Sequence, residues 1–285
     1  GHTLPSPAGP VRLGWVAQDQ ALTLRCQPCS LHHNTWGTAA LRLPAVDVTI
    51  HRSGMQLRGT VASGAVAASW RGQLTHTNLQ LDMDLPPTPV RDGYALFADA
   101  IPELAIAQID GTFAMRASLS LPSRSLMLQP QLVGMAVQGL GTDHWANAHS
   151  TCTKGLPPRV QKVALGANSL LARAVVAAED QRFFEHAGYD IVEVAHALRS
   201  NNQRGAVLTA GSAPAAGLRG ASTLSQQVAK LLITGGERSP VRKLRELLYA
   251  VEMEQTLGKA RILRLYLDNA PWGATICGAQ AAAHT

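Results

Sequence analysis

The chain lacks any apolar run approaching the roughly 20 residues that a bilayer-spanning helix needs, so no spanning segment is expected in it. The opening residues GHTLPSPAGP do not read as a secretory leader, so none is expected within the sequence. Nucleic-acid-binding motifs are missing, and no stretch interleaves aromatic with basic residues, so nucleic acid is not expected as a partner despite the basic balance. Cysteine is scarce, with Cys26, Cys29, Cys152 and Cys277 only. Cys26-Gln-Pro-Cys29 with His32 and His33 nearby leaves several readings open. These are a disulfide within the pair or to Cys152, free thiols, a zinc site, or a redox pair lacking the helix that usually follows one.

What is present is a globular composition, with 46% apolar residues over 285 positions, enough for a sizeable core and two domains. The net charge of +6 is uneven, since residues from Gly155 onward hold 15 Lys+Arg against 10 Asp+Glu and the preceding residues 10 against 9. A basic C-terminal half suits an anionic partner such as a diphosphate or anionic lipid headgroups.

Two periods divide the chain. Residues 11–143 alternate apolar with polar or small residues in short runs such as VRLGWV, ALTLRC, GMQLRGTVA and NLQLDMDLP, broken by Gly and Pro. This predicts a β-rich domain, an antiparallel sheet or sandwich, preceded by a disordered start over 1–10. One helix is expected from Asp92 to Ala107, ended or kinked by Pro102. Trp15, Trp36 and Trp70 are read as packing residues. A linker follows from His144 to Pro158, and from residue 159 the period becomes helical. Helices are predicted up to Glu179 with Asn168-Ser169 as cap, over Ile191–Ser200, from a Ser222 cap to Ile233, from Pro240 to Glu254, and over Lys259–Leu267. The Gly-, Ala- and Ser-rich stretch 201–220 is predicted to be a loop.

The chemistry gathers in four blocks: AAEDQRFFEHAGYD (Ala177–Asp190), GASTLSQQVAK (Gly220–Lys230), RKLRE (Arg242–Glu246) and KARILRLYLDNAPWG (Lys259–Gly273). An apolar helix delivering Glu179 at its end can hold a carboxylate in a partly desolvated cleft, where it serves as a base. Asp180 diverges from it by about 100° on a helix, so one of the two faces the cleft. Arg242 and Glu246 stand four apart and can pair. Read alone, the pair is a surface salt bridge of under about 0.5 kcal/mol, and the stripe Thr223, Gln226, Gln227 and Lys230 a solvated face.

Taken together and in order, the blocks resemble the peptidoglycan glycosyltransferases, the family 51 transglycosylase domain of penicillin-binding proteins and their monofunctional relatives. The first three match the patterns E-D-x-x-F-x-x-H-x-G, G-x-S-T-x-x-Q-Q-x-x-K and R-K-x-x-E at every fixed position. The fourth carries Asp268 where the family has Asn. The resemblance covers about 157–285 and implies an all-α, lysozyme-like domain at 159–285 following the β-rich one, an α+β chain overall. Beyond Gly278–Ala282 the family continues with further helices, so the domain is expected to be incomplete at its C-terminus; an N-terminal membrane anchor ahead of Gly1 is expected likewise.

The implied reaction polymerises lipid II with release of undecaprenyl diphosphate. The resemblance implies Glu179 as catalytic base, Glu246 as the second catalytic carboxylate, and Ser222, Thr223, Gln226, Gln227, Lys230, Arg242, Lys243 and Lys259 as substrate-binding residues. His186 is implied to support the loop, not to ligate metal. The resemblance fixes no cofactor, and leaves Mg2+ or another divalent ion at the diphosphate as the one candidate. Implied partners are lipid II, the growing glycan, a membrane surface and other cell-wall synthesis proteins, at the periplasmic face of the inner membrane. Two other readings fit parts of the pattern: a non-catalytic envelope scaffold or lipid II-binding protein, and a lysozyme-like glycan hydrolase.

Overall fold

A computed structural model of the chain describes residues 2–6, 9–16, 21–31, 41–123, 125–148, 166–197, 200, 220–236, 239–273 and 276–283. Two parts, one of sheet and one of helices, follow each other in sequence.

The first part is a nine-stranded antiparallel sheet built almost wholly by nearest neighbours in sequence. Its strands are β1 (His2–Ser6), β2 (Gly9–Val16), β3 (Ala21–Cys26), β6 (Val46–Ser53), β7 (Gln56–Ser63), β8 (Val66–Leu74), β9 (Leu79–Pro89), β10 (Gln108–Leu121) and β11 (Ser125–Gln138). Between β3 and β6, β4 (Cys29–Leu31) and β5 (Leu41–Leu43) pair as a separate ribbon. Residues 2–6, expected to be unstructured, pair with β2. Cys26 and Cys29 form a disulfide with each other, which settles the open reading of that pair. Trp36 lies outside the described residues.

Strand alternation sorts the two faces. In β8, Ala68, Trp70, Gly72 and Leu74 share one side, and Ser69, Arg71 and Gln73 the other. The registers carry this pattern across the sheet, for Trp70 stands opposite Met83, and Ala117 opposite both Met83 and Leu128. In β10 the register slips between Asp110 and Thr112, where Gly111 adopts a φ of +98° that side-chain-bearing residues avoid.

The expected helix over 92–107 is broken into α1 (Val90–Ala95) and two 3₁₀ turns at Ala98–Ala100 and Pro102–Ala105. Pro102 fits the start of a 3₁₀ turn but has no N–H to continue an α-helix.

The helical part comprises α2 (Leu170–Glu179), α3 (191–197), α4 (Leu224–Ala229), α5 (Pro240–Thr256), α6 (Gly258–Asn269) and α7 (Ala279–Ala282). Ser169 caps α2 by accepting from the Ala172 N–H, and Ser239 caps α5 ahead of Pro240. The cap of α4 is Thr223, not Ser222, because Thr223 and Gln226 bond reciprocally as a capping box. A π-turn at Lys230–Thr234 continues α4. Phe183, Leu224, Val228, Met253, Ile262 and Leu263 form the core of this part.

α5 is shared by both parts. Its Leu248 and Val251 are buried with Val90, Tyr94, Ile101, Ile109, Met135 and Val137 of the sheet side. Each such side chain contributes about 1.5–3 kcal/mol by leaving water. Polar ties reinforce the seam: Tyr94 OH donates to Leu244 O at 3.0 Å, and the buried Glu252 carboxylate accepts from the Leu140 and Thr142 N–H groups at 2.7 and 3.2 Å. Of the expected linker, 144–148 are described. They are held against α6, where Arg261 donates to Trp145 O and Ala148 O. The remainder, and the predicted loop over 201–219, lie outside the described residues. Among those described, no helix is long and apolar enough to cross a membrane.

Candidate active site

α2 delivers Glu179 and then ends, because Asp180 leaves helical geometry at φ −160°, ψ 76°. The two acids part as their adjacency requires. Asp180 turns inward and is buried, whereas Glu179 is exposed rather than desolvated. Glu179 lines a cavity of about 240 Å³ with Arg182, Asp190, Glu193, Ser222 and Thr223. One of its carboxylate oxygens accepts from Gln227 Nε2 at 3.1 Å.

Asp180 instead organises the loop. It accepts the Leu224 N–H at 2.8 Å and pairs with His186 Nε2 at 3.0 Å. His186 Nδ1 accepts from the Gly188 N–H at 3.2 Å, so the ring proton sits on Nε2 and is donated to Asp180. Gly188 has φ +92°, and a Cβ there would lie 2.8 Å from Ala250 O of α5. Its carbonyl accepts from Thr223 Oγ1 at 2.8 Å, closing the loop onto the α4 cap. Asp190 caps α3, with Oδ1 accepting from Val192 N, Glu193 N and Arg182 Nη1.

From the other side α5 presents Arg242, Lys243 and Glu246. Glu246 is fully buried and ion-paired with both Arg242 and Lys243, the latter at 2.7 Å. The surface salt bridge that spacing alone suggested is thus a buried one. Lys243 Nζ also donates to Ser222 Oγ at 2.6 Å, which links the cations to the cavity that holds Glu179. Burial, with Arg242 and Lys230 adding repulsion, pushes the Lys243 ammonium down to about 8, against the pull of Glu246.

The remaining candidates divide. Gln227 meets Glu179, Lys230 is exposed at the start of the π-turn after α4, near enough to act on Lys243, and Thr223 and Gln226 are spent on the cap and the loop. Lys259 does not join the cluster. Its Nζ donates to Glu254 at 2.8 Å and His186 O at 2.6 Å and lies 4.4 Å above the Phe183 ring, bracing the loop from behind. Asp268 faces Arg264 at 3.9 Å.

Sequence reasoning missed the buried carboxylates Glu103, Asp190 and Glu252. For Asp190 a signal existed, since an Asp directly ahead of the apolar run IVEV marks a helix start. Among the described residues, no three or more His, Cys, Asp or Glu side chains gather as a metal site.

Residues 161–285 match the family model described as Transglycosylase. Relatives named biosynthetic peptidoglycan transglycosylase match about 40% of the chain. That of Thiobacillus denitrificans is 44% identical over 112 residues, covering 39% of this chain and 44% of its own length. The Stutzerimonas stutzeri protein is 49% identical over 113 residues, covering 40% and 42%. The Pseudomonas aeruginosa protein is 44% identical over 110 residues, covering 39% and 43%. The resemblance drawn from the four blocks is borne out for that segment, and the chain spans less than half the length of these relatives.

Proposed function

We propose that this protein is a peptidoglycan glycosyltransferase that polymerises lipid II into glycan strands and releases undecaprenyl diphosphate. The observation that carries the reading is that Glu179 and Ser222 line one cavity, and Lys243 reaches that serine from the cation cluster of α5. The reaction needs both. The acceptor 4-hydroxyl oxygen forms a bond to the donor's anomeric carbon while its proton passes to the Glu179 carboxylate. The bond from that carbon to the diphosphate breaks, and the departing oxygen keeps the electron pair. Its growing charge is met by Lys243, Arg242 and Lys230, with Glu246 holding the first two in place.

Gln227 orients Glu179 through one oxygen, and Ser222 fixes the Lys243 ammonium at the cavity edge. Thr223 and Gln226 act through the cap that seats α4, and Lys259 acts through the loop. A divalent ion accompanying the substrate would add to the cationic field without replacing these residues. We further place the helical part in the lysozyme-like class and the protein at the periplasmic face of the inner membrane. There it would work on lipid-borne substrate, alongside other cell-wall synthesis proteins.

The test is polymerisation of lipid II by the protein beside its Glu179→Gln variant. Glycan from the parent and a loss of about 10²–10⁴-fold in the variant are expected if Glu179 is the base. Lipid II binding without product from the parent would point to a scaffold, and shortening of preformed glycan to a hydrolase.

A further inference from the structure

The seam between the sheet and α5 holds a second, half-open cavity of about 350 Å³, lined by Val66, Phe113, Leu132, Ile191, Leu244 and Leu247 among other apolar groups. The polar side chains on its wall are few. Tyr94 spends its hydroxyl on Leu244 O, and Gln131 lies on an outer strand. A cavity of this size falls in the range of small-ligand sites, and an apolar lining favours an apolar occupant over water.

Its position specifies the occupant further. Leu247 follows Lys243 by four residues and so stands next to it on one helix face, about 5–6 Å away. Ile191 directly follows Asp190, which lines the Glu179 cavity, so one loop segment contributes to both walls. An anion-binding cluster and an apolar cavity therefore adjoin along one turn of α5. That juxtaposition matches an amphiphile with an anionic head and a hydrocarbon tail. The apolar face of the sheet extends beyond the cavity through half-buried Leu81, Met83, Ala117, Leu119 and Leu128, which gives a long tail room to continue.

We infer that the sheet–α5 cavity is a binding site for the polyprenyl chain of a lipid-diphosphate substrate, the β-rich part thereby contributing a wall of the tail site. This rests on the proposed function for the identity of the lipid, but not for the presence of the site. In it, the diphosphate lies on Arg242 and Lys243 while the first isoprene units enter past Leu247.

The experiment uses farnesyl diphosphate bearing a terminal benzophenone, irradiated with the whole protein and mapped by mass spectrometry. Labels are expected on the segments holding Phe113, Leu132 and Leu244. Undecaprenyl diphosphate should compete, whereas inorganic diphosphate should not remove labelling by benzophenone-farnesol. Leu132→Gln, which makes the wall polar, and Val66→Trp, which fills the cavity, should each lower labelling there at least fivefold. Both should also shrink the KM advantage of long-tailed over short-tailed lipid II. Equal labelling by a phosphatidylglycerol carrying benzophenone on its acyl chain would overturn the assignment to polyprenyl chains. Labels confined to other segments, or unchanged in both variants while circular dichroism stays native, would overturn the site. Glu179-dependent polymerisation persisting in either case would leave the enzyme standing without it. Cavity labelling by a protein that makes no glycan would retain the tail site and remove the enzyme.

Discussion

Glu103 and Arg245, 142 positions apart, form a two-pronged ion pair across the seam, with Arg245 Nε and Nη2 donating to the carboxylate at 2.6–3.0 Å. Glu103 belongs to the 3₁₀ turn beside the sheet and Arg245 to α5, between Lys243 and Glu246 of the candidate site. Because burial, Tyr94 and Glu252 bind the same helix to the sheet, the helix that carries the cations has no independent position.

Glu103→Gln should therefore lower stability by about 1–3 kcal/mol, the range for a hydrogen-bonded charged pair. Burial alone would raise the Glu103 pKa, but the Arg245 bonds outweigh it and hold the carboxyl below its ordinary value. Its stabilising effect is therefore full above the ordinary carboxylate value of about 4.3 and fades as pH falls through the lower folded value. Urea unfolding of parent and variant between pH 7 and pH 3 checks this. The gap between them should narrow on the acid side, and sheet and helices should unfold in one transition.

Lys243 gives a second pH signature, of opposite direction. Its ammonium, pushed down to about 8, is charged below that pH and neutral above it, whereas an ordinary lysine stays charged to about 10.4. Diphosphate affinity should fall as pH rises through about 8. In Lys243→Arg, which remains charged, the fall should vanish, even if the loss of the Ser222 contact weakens binding at neutral pH. Titration calorimetry with inorganic diphosphate from pH 6.5 to 9.5 measures both.

Much of this site was legible because its parts are local. Glu179 at a helix end, the start of α5 at Pro240 and the Arg242–Glu246 spacing are each written within a few residues. The sheet was legible for the same reason, since alternation and turn residues repeat along a strand-by-strand meander. What could not be read is pairing across distance. Nothing in PEL at 102–104 announces that its acid meets Arg245, and nothing distinguishes Lys259, which braces the loop, from Lys243, which faces the cavity. Thr223 replaced Ser222 as the cap because the reciprocal bond with Gln226 needs a spacing of three, which Ser222 lacks.

Asp180→Asn should separate the buried acid from its exposed neighbour. The amide retains an oxygen for the Leu224 N–H but turns an NH₂ group toward the protonated Nε2 of His186, leaving two donors facing each other. Faster hydrogen exchange at the Leu224 and Gly188 amides is expected, with kcat reduced more than KM since Lys243 and Arg242 keep their places. A variant with native exchange but no activity would instead assign Asp180 a direct part in the chemistry.

Gly188→Ala tests whether the loop is set by its backbone. Position 188 holds φ +92° and leaves 2.8 Å between a new Cβ and Ala250 O, so the variant carries both conformational strain and a clash with helix backbone. Strain of this kind costs about 1–3 kcal/mol if it persists. The alternative is for the loop to move, which would withdraw the Gly188 carbonyl from Thr223 and its N–H from His186. These outcomes differ in measurement. Persistent strain lowers Tm with the activity of the folded fraction preserved, whereas a displaced loop spares Tm and lowers activity. The second outcome is expected, because Ala250 is buried in α5, which the sheet holds fixed, while Glu185 and Ala187 beside the glycine are exposed, so the loop gives way before the helix does.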